Sequence, residues 1–96
     1  MTTISDLFSE YVTERAERRR TLGIRARAVA QEANLPVNTV YRIESGLGGV
    51  STERVSAYCA ALDALSERVR AALAALDALP GGRAMTAAEL RRILAV

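Results

Sequence analysis

Two polar side chains in the middle of the chain, Asn38 and Arg42, carry hydrogen-bonding groups suited to the edge of a purine base. An asparagine amide can form two hydrogen bonds with adenine, and an arginine guanidinium can form two with guanine. The two residues are four positions apart, so a helix would present them on the same face. Val40 and Ile43 would then face the core of the protein.

Val37 and Tyr41 share the predicted outer face with this pair. Val37 offers only an apolar contact, which suits the methyl group of thymine. Tyr41 has two possible roles, because its ring can touch a sugar or a thymine methyl group or can pack against its own scaffold. We expect both residues, like Asn38 and Arg42, to contact bases.

The basic residues are all arginines, and their distribution along the chain is uneven. Residues 15–42 contain seven arginines and two acidic residues, whereas the rest of the chain contains six arginines and nine acidic residues. Such a segment predicts a face that binds a polyanion, with a solvated helix face as the alternative. The residues expected to contact phosphate groups are Arg25, Arg27, Thr39 and Ser45.

The composition argues against most chemistry that needs a reactive side chain. The chain has one cysteine, Cys59, and no histidine, which excludes an intrachain disulfide, a cysteine-based zinc site and histidine acid–base catalysis. We find no paired-carboxylate constellation and no phosphate-binding loop of the required spacing. We therefore predict a protein that is not an enzyme and uses no cofactor or metal. With neither a signal peptide nor a membrane span in the sequence, we expect it to be cytoplasmic.

The elements that position these residues are predicted to be helices. Half of the residues are apolar, mainly alanine and leucine, so we predict an all-α bundle of five or six helices. Asn34 suits a turn with positive φ, and Pro36 suits the start of a helix. The predicted helices are 4–22, 25–32, 37–44, one or two between 52 and 79, and a last one capped by Thr86. Whether the chain breaks at Ser66 is left open, but 80–82 is a clear break.

The segment 24–46 resembles the phage repressor/Cro-type helix-turn-helix family. The resemblance is carried by Ala30, the Asn34-Leu35 turn, Val40, Ile43, Glu44 and Gly46. In that family the second of two short helices lies in the major groove of DNA, so the resemblance implies double-stranded DNA as the partner. Ala26 stands where the family often has a glutamine that contacts a phosphate, and Arg25 and Arg27 can replace it.

The resemblance also implies a buried ion pair between Arg19 and Glu44, with solvated side chains as the alternative. Arg15 and Arg18 occupy positions where the first helix of the family usually has leucine. We therefore expect the apolar stripe in 4–12 to anchor that helix.

Together these features predict a sequence-specific transcriptional regulator, in particular a repressor or autoregulator. A single module reads few base pairs, so we expect a homodimer on an inverted repeat. We assign 1–64 to DNA binding and 65–96 to a helical extension for dimerisation. The expected dimer contacts are Leu65, Val69, Leu73, Leu76, Leu79, Leu90, Ile93 and Leu94. The alternative is an antitoxin or another protein-interaction module that also binds its own operator.

Overall fold

Five α-helices make up the part of the chain that the computed structural model describes, residues 4–46, 48–79 and 86–96. The predicted all-α class is confirmed, since these ranges contain no strand. The predicted break at 80–82 lies outside the described residues. In chain order the helices are α1 (Ile4–Leu22), α2 (Ala26–Ala33), α3 (Val37–Ser45), α4 (Thr52–Asp77) and α5 (Ala87–Leu94).

The turn between α2 and α3 depends on the left-handed backbone of Asn34, which has φ 57° and ψ 48°. Asparagine adopts this conformation at modest cost. It allows the amide N–H of Leu35 to donate to the carbonyl of Ala30 at 2.9 Å, which closes α2. Pro36 follows with φ −62°, the value its ring favours, and α3 begins at Val37. The turn therefore forms as its sequence predicts.

The second half of the described chain is dominated by α4, which is one uninterrupted helix of 26 residues. The Oγ of Ser51 caps it by accepting a hydrogen bond from the amide of Arg54 at 3.3 Å. Ser66 lies inside the helix and is buried, so the chain does not break there. α4 also passes through the predicted domain boundary at 64/65. Among the described helices, none is long and apolar enough to cross a membrane.

The core lies where α2 packs against α3 and α4. Val29 of α2, Val40 of α3, and Tyr58 and Leu62 of α4 are completely buried there. Ala30 is also buried, and its small side chain lets neighbouring helices approach closely. This packing fixes the orientation of α3, because Val40 can be buried only if the opposite face of the helix is turned outward.

Three residues expected to contact a second copy belong instead to the interior of the single chain. Leu65, Val69 and Leu90 are only 2%, 1% and 7% exposed. The reason is that α1, α2 and α5 all pack against α4, and Val96 after α5 joins the core, so the apolar stripe of α4 is partly covered by its own chain. The other residues of that set are half-buried (Leu73, Leu76 and Leu94) or exposed (Leu79 and Ile93).

The apolar stripe predicted in 4–12 is confirmed at Val12, which is buried, and is wrong at Tyr11, of which 59% is exposed. Among the described side chains of α1, those of residues 9–22, Val12 and Ala16 are buried and lie one helical turn apart. In this part of the helix the packed face therefore lies beside Tyr11. The side chains of 4–8 lie outside the described part of the structure.

Polar contacts complete the attachment of α1 to α4. Arg15 and Arg18 each donate a hydrogen bond to the carboxylate of Asp63 at 2.9 Å. Burial opposes ionisation of Asp63, but the hydrogen bonds and charges of the two arginines outweigh it and hold its pKa below the usual value. Arg15 and Arg18 therefore anchor this helix to α4 through charge rather than apolar contact.

Replacing Gly23 by alanine should destabilise the fold by about 1–2 kcal/mol, because Gly23 has φ +71°, a backbone conformation that alanine adopts at this cost. The added Cβ would also meet the guanidinium of Arg91, whose flexible side chain can move aside. Gly46→Ala is the matched comparison, because Gly46 has the same φ but open space around it. Urea denaturation should show a loss of this size for both variants. A stability that is unchanged in Gly23→Ala would contradict the left-handed backbone of Gly23.

Candidate nucleic-acid interface

The outer face of α3 presents Asn38, Tyr41 and Arg42 to solvent. It lies opposite Val40 and Ile43, which are buried as predicted. Tyr41 exposes 55% of its surface, so of its two possible roles the structure disfavours packing in the core. Three side chains with donors, acceptors and an aromatic ring thus project from one short helix.

The side chains of the remaining predicted contacts on α3 are less accessible or already hydrogen-bonded. Val37 and Thr39 are half-buried, and Val37 packs against the core in addition to reaching the surface. Ser45 is exposed, but its hydroxyl donates to the carbonyl of Arg42 at 3.0 Å. That hydroxyl can still accept a hydrogen bond, while its proton is already used.

The start of α2 carries two exposed arginines, Arg25 and Arg27. Arg25 is the N-cap residue, and no side chain caps the helix by hydrogen bonding. The amide groups of the first turn, together with these guanidiniums, form a positive surface that suits an anion. Ala26 between them is 4% exposed, and its methyl side chain offers no hydrogen bond to an anion.

A cleft lies between α2 and α3. Its volume is about 510 Å³, and the residues that line it include Arg27, Gln31, Asn34 and Val37. Gln31 is exposed and was not identified from the sequence. Its amide lies on the same cleft as a predicted phosphate contact and a predicted base contact, a proximity that only the α2–α3 packing reveals.

Beneath this surface, Arg19 and Glu44 form a bidentate ion pair that joins α1 to α3. Nε of Arg19 donates to one carboxylate oxygen at 2.7 Å, and Nη2 donates to the other at 2.8 Å. Both side chains are largely buried, with 14% and 8% of their surface exposed. Nη1 of Arg19 also donates to the carbonyl of Ile24 at 3.1 Å. The pair therefore holds the end of α3 against α1.

Tyr58 is a third member of this network that the sequence did not identify. Its hydroxyl donates to Oε2 of Glu44 at 2.7 Å, although its ring is completely buried. Burial, followed by the hydrogen bond to Glu44, raises the pKa of Tyr58 well above its usual value. The hydroxyl thus remains a donor at any physiological pH. A buried tyrosine needs a polar partner for its hydroxyl. This requirement is the only feature of the sequence that could have indicated a hydrogen bond from Tyr58.

The arginines of residues 15–42 therefore divide into two groups. Arg15, Arg18 and Arg19 form ion pairs inside the molecule and cannot serve a polyanion freely. The others are Arg20, Arg25, Arg27 and Arg42, which are exposed and have no carboxylate partner among the described residues. The uneven charge of the sequence thus overstates the charge that is available at the surface.

Cys59 has a packing role. It is half-buried against the core, and burial raises the pKa of its thiol. Within the described ranges no group of three or more histidine, cysteine, aspartate or glutamate residues is arranged to hold a metal ion.

A family model for the helix-turn-helix domain matches residues 14–73, more than half of the chain. The match begins within α1, includes α2 and α3, and ends within α4. α5 lies beyond it. Comparison with curated proteins gives no match, and neither does comparison with solved structures.

Proposed function

The chain belongs to the helix-turn-helix domain family, and on this premise we propose that it is a sequence-specific regulator that binds double-stranded DNA. The observation that carries the proposal is the exposed face of α3. Asn38, Tyr41 and Arg42 project from it, while Val40 and Ile43 hold the helix from behind. A helix with this division can enter the major groove without disturbing its own core.

Within that family we propose the repressor/Cro-type branch. The left-handed Asn34 between α2 and α3, the buried Ala30 and the Arg19–Glu44 pair support this assignment. Repression of a promoter, including its own, is the regulatory outcome we propose. Such proteins act by occupying a site, which requires no catalytic group.

We assign direct base readout to Asn38 and Arg42, with adenine and guanine as their respective partners. Val37 and Tyr41 supply apolar contact, and the exposed ring of Tyr41 supports this role. The phosphate contacts are assigned to Arg25, Arg27, Thr39 and Ser45. Phosphate contacts set the position of the protein on the duplex, and base contacts set the sequence.

Selection of bound duplexes from a random pool tests this function. We expect enrichment of an inverted repeat whose half-sites are one helical turn apart, since two copies of α3 would enter successive major grooves. A pool that shows no enrichment after repeated rounds, with a folded protein, would contradict sequence-specific binding.

The double substitution Arg25→Ala/Arg27→Ala should weaken binding to all DNA sequences alike. Counterion release predicts that the slope of log Kd against log salt falls by about one unit for each phosphate that is no longer neutralised. Fluorescence anisotropy on specific and random duplexes at several salt concentrations measures both effects. Arg70→Ala is a control, because Arg70 is exposed on α4 and outside the α2–α3 cleft. An unchanged slope for the double variant would show that these arginines face away from DNA.

We further propose that the protein is a homodimer. Because Leu65, Val69 and Leu90 are used internally, the proposed contact is formed by apolar residues that remain on the surface. These are Leu73, Leu76, Leu79, Ile93 and Leu94. Leu79 and Ile93 are the most exposed of them, at 52% and 68%.

Light scattering on the full chain tests the dimer. A truncated chain is unsuitable, because truncation would remove core residues of α4. We expect the full chain to be dimeric at micromolar concentration and Ile93→Glu to raise the dissociation constant at least tenfold, because a charge would be buried in an apolar contact. Tyr11→Glu is the control, since Tyr11 is as exposed but lies on α1. A wild-type chain that stays monomeric at high micromolar concentration would rule out the proposed dimer.

A further inference from the structure

α5 lies beyond the matched helix-turn-helix region, yet it is fixed beside the start of α2. The side chain of Arg91 lies directly over Gly23, where even one added carbon would overlap it. Val96, just after the helix, is 2% exposed and belongs to the core. Nε of Arg25 approaches the carbonyl oxygen of Val96 at 3.4 Å. These contacts bring the last turn of α5 next to the N-cap of α2.

The result is a cluster of three arginines drawn from two distant parts of the sequence. Arg25, Arg91 and Arg92 line one partly open pocket of about 190 Å³. Its other described lining residues are Gly23, Ala88 and Val96, so no aspartate or glutamate side chain contributes to it. None of the three guanidiniums pairs with an aspartate or glutamate in the described part of the chain, unlike Arg15, Arg18 and Arg19.

Such a cluster attracts an anion. Three positive charges line one small pocket, and no aspartate or glutamate side chain among its described lining residues neutralises them. A guanidinium presents a planar fork of donors that matches two oxygens of a phosphate group. The pocket also adjoins the start of α2, the same positive surface on which Arg27 lies.

We propose that Arg91 and Arg92 of α5, with Arg25, bind a phosphate of the DNA backbone, so that α5 extends the DNA-binding surface beyond the helix-turn-helix. This inference rests on the proposed function. A duplex is the appropriate partner because its phosphates continue past the segment that α3 reads, and a protein that follows them gains affinity without reading more bases. α5 therefore helps to hold the duplex, in addition to carrying Ile93 on its surface.

The test compares Arg92→Gln with Arg70→Gln in the full chain, by fluorescence anisotropy on a random-sequence duplex at about 50–200 mM salt. Arg92 is exposed, so its replacement leaves the core intact, and both variants lose the same charge. We expect Arg92→Gln to lower the slope of log Kd against log salt by about 0.9, which makes the affinity loss across this salt range about 3.5-fold smaller. Arg91→Gln/Arg92→Gln should lower the slope at least as much, and Arg70→Gln should leave it unchanged.

The outcomes separate this inference from the function on which it rests. A folded wild-type chain that binds no duplex overturns both. Wild-type binding whose slope falls for Arg25→Ala/Arg27→Ala, but not for Arg92→Gln or the Arg91/Arg92 pair, overturns only the role of α5. An equal fall for Arg92→Gln and Arg70→Gln also overturns it, because the effect would then come from net charge alone.

Discussion

Replacing Glu44 by alanine should lower the free energy of unfolding by about 3–5 kcal/mol, the usual cost of removing one partner from a buried ion pair. The substitution would leave the guanidinium of Arg19 with only the carbonyl of Ile24, and the hydroxyl of Tyr58 with no acceptor that the structure provides. Urea denaturation followed by circular dichroism measures the loss. Because α3 is held by this carboxylate, DNA affinity should fall as well.

A double-mutant cycle separates the ion pair from general damage to the fold. Arg19→Ala and Glu44→Ala should be strongly coupled, so that the double variant costs much less than the sum of the single ones. Glu14→Ala is the control, since Glu14 pairs with Arg18 at the surface and should cost about 0.5 kcal/mol. Additive, small effects at Arg19 and Glu44 would contradict a buried pair.

Tyr58→Phe isolates the third member of the network. It removes one hydrogen bond to a charged acceptor and leaves the ring in place, so we expect a loss of about 1.5–3 kcal/mol in the free energy of unfolding.

The second large effect is expected in sequence discrimination. Arg42→Ala should relax the preference at one position of each half-site, and Asn38→Ala should do so at a neighbouring position. Each side chain can form two hydrogen bonds with one purine, and such a pair contributes about 1–3 kcal/mol of discrimination, or roughly 5- to 150-fold in relative affinity. Affinity for random DNA should change much less, because it depends mainly on phosphate contacts.

Competition binding with the selected operator and its single-base variants measures this discrimination. Thr39→Ala is a suitable comparison on the same helix, since Thr39 is half-buried and is assigned to a phosphate. If Asn38→Ala and Arg42→Ala weaken binding to operator and random duplex equally, the two residues contact only the backbone. The outer face of α3 would then have been assigned wrongly.

The helices and the orientation of α3 could be predicted because they follow from local rules. Asn34 and Pro36 determine the turn by their own backbone preferences, and the spacing of Val40 and Ile43 determines which face is buried. The Arg19–Glu44 pair was implied only by resemblance to a family, since nothing in the residues themselves says that two positions 25 apart will meet.

The features that could not be predicted depend on packing between distant segments. The apolar stripe of α4 gives no sign of whether its own chain or a second copy covers it, so the burial of Leu65, Val69 and Leu90 within the single chain could not be predicted. The arginines of α1 look identical in the sequence, and only the position of Asp63 on α4 decides that Arg15 and Arg18 are paired.

Because α4 is continuous, a tilt at one end of the helix would be transmitted to the other end. Its 26 residues span about 39 Å without a hinge, from the loop that follows α3 to the surface on which Leu79 lies. A tilt of about 10° at one end would move the other by about 7 Å, close to the rise of two base pairs along DNA. In a dimer joined at the C-terminal end of α4, the angle between the two α4 helices would therefore set the distance between the two α3 helices. A ligand or protein that changed this angle would control operator spacing without touching the bases.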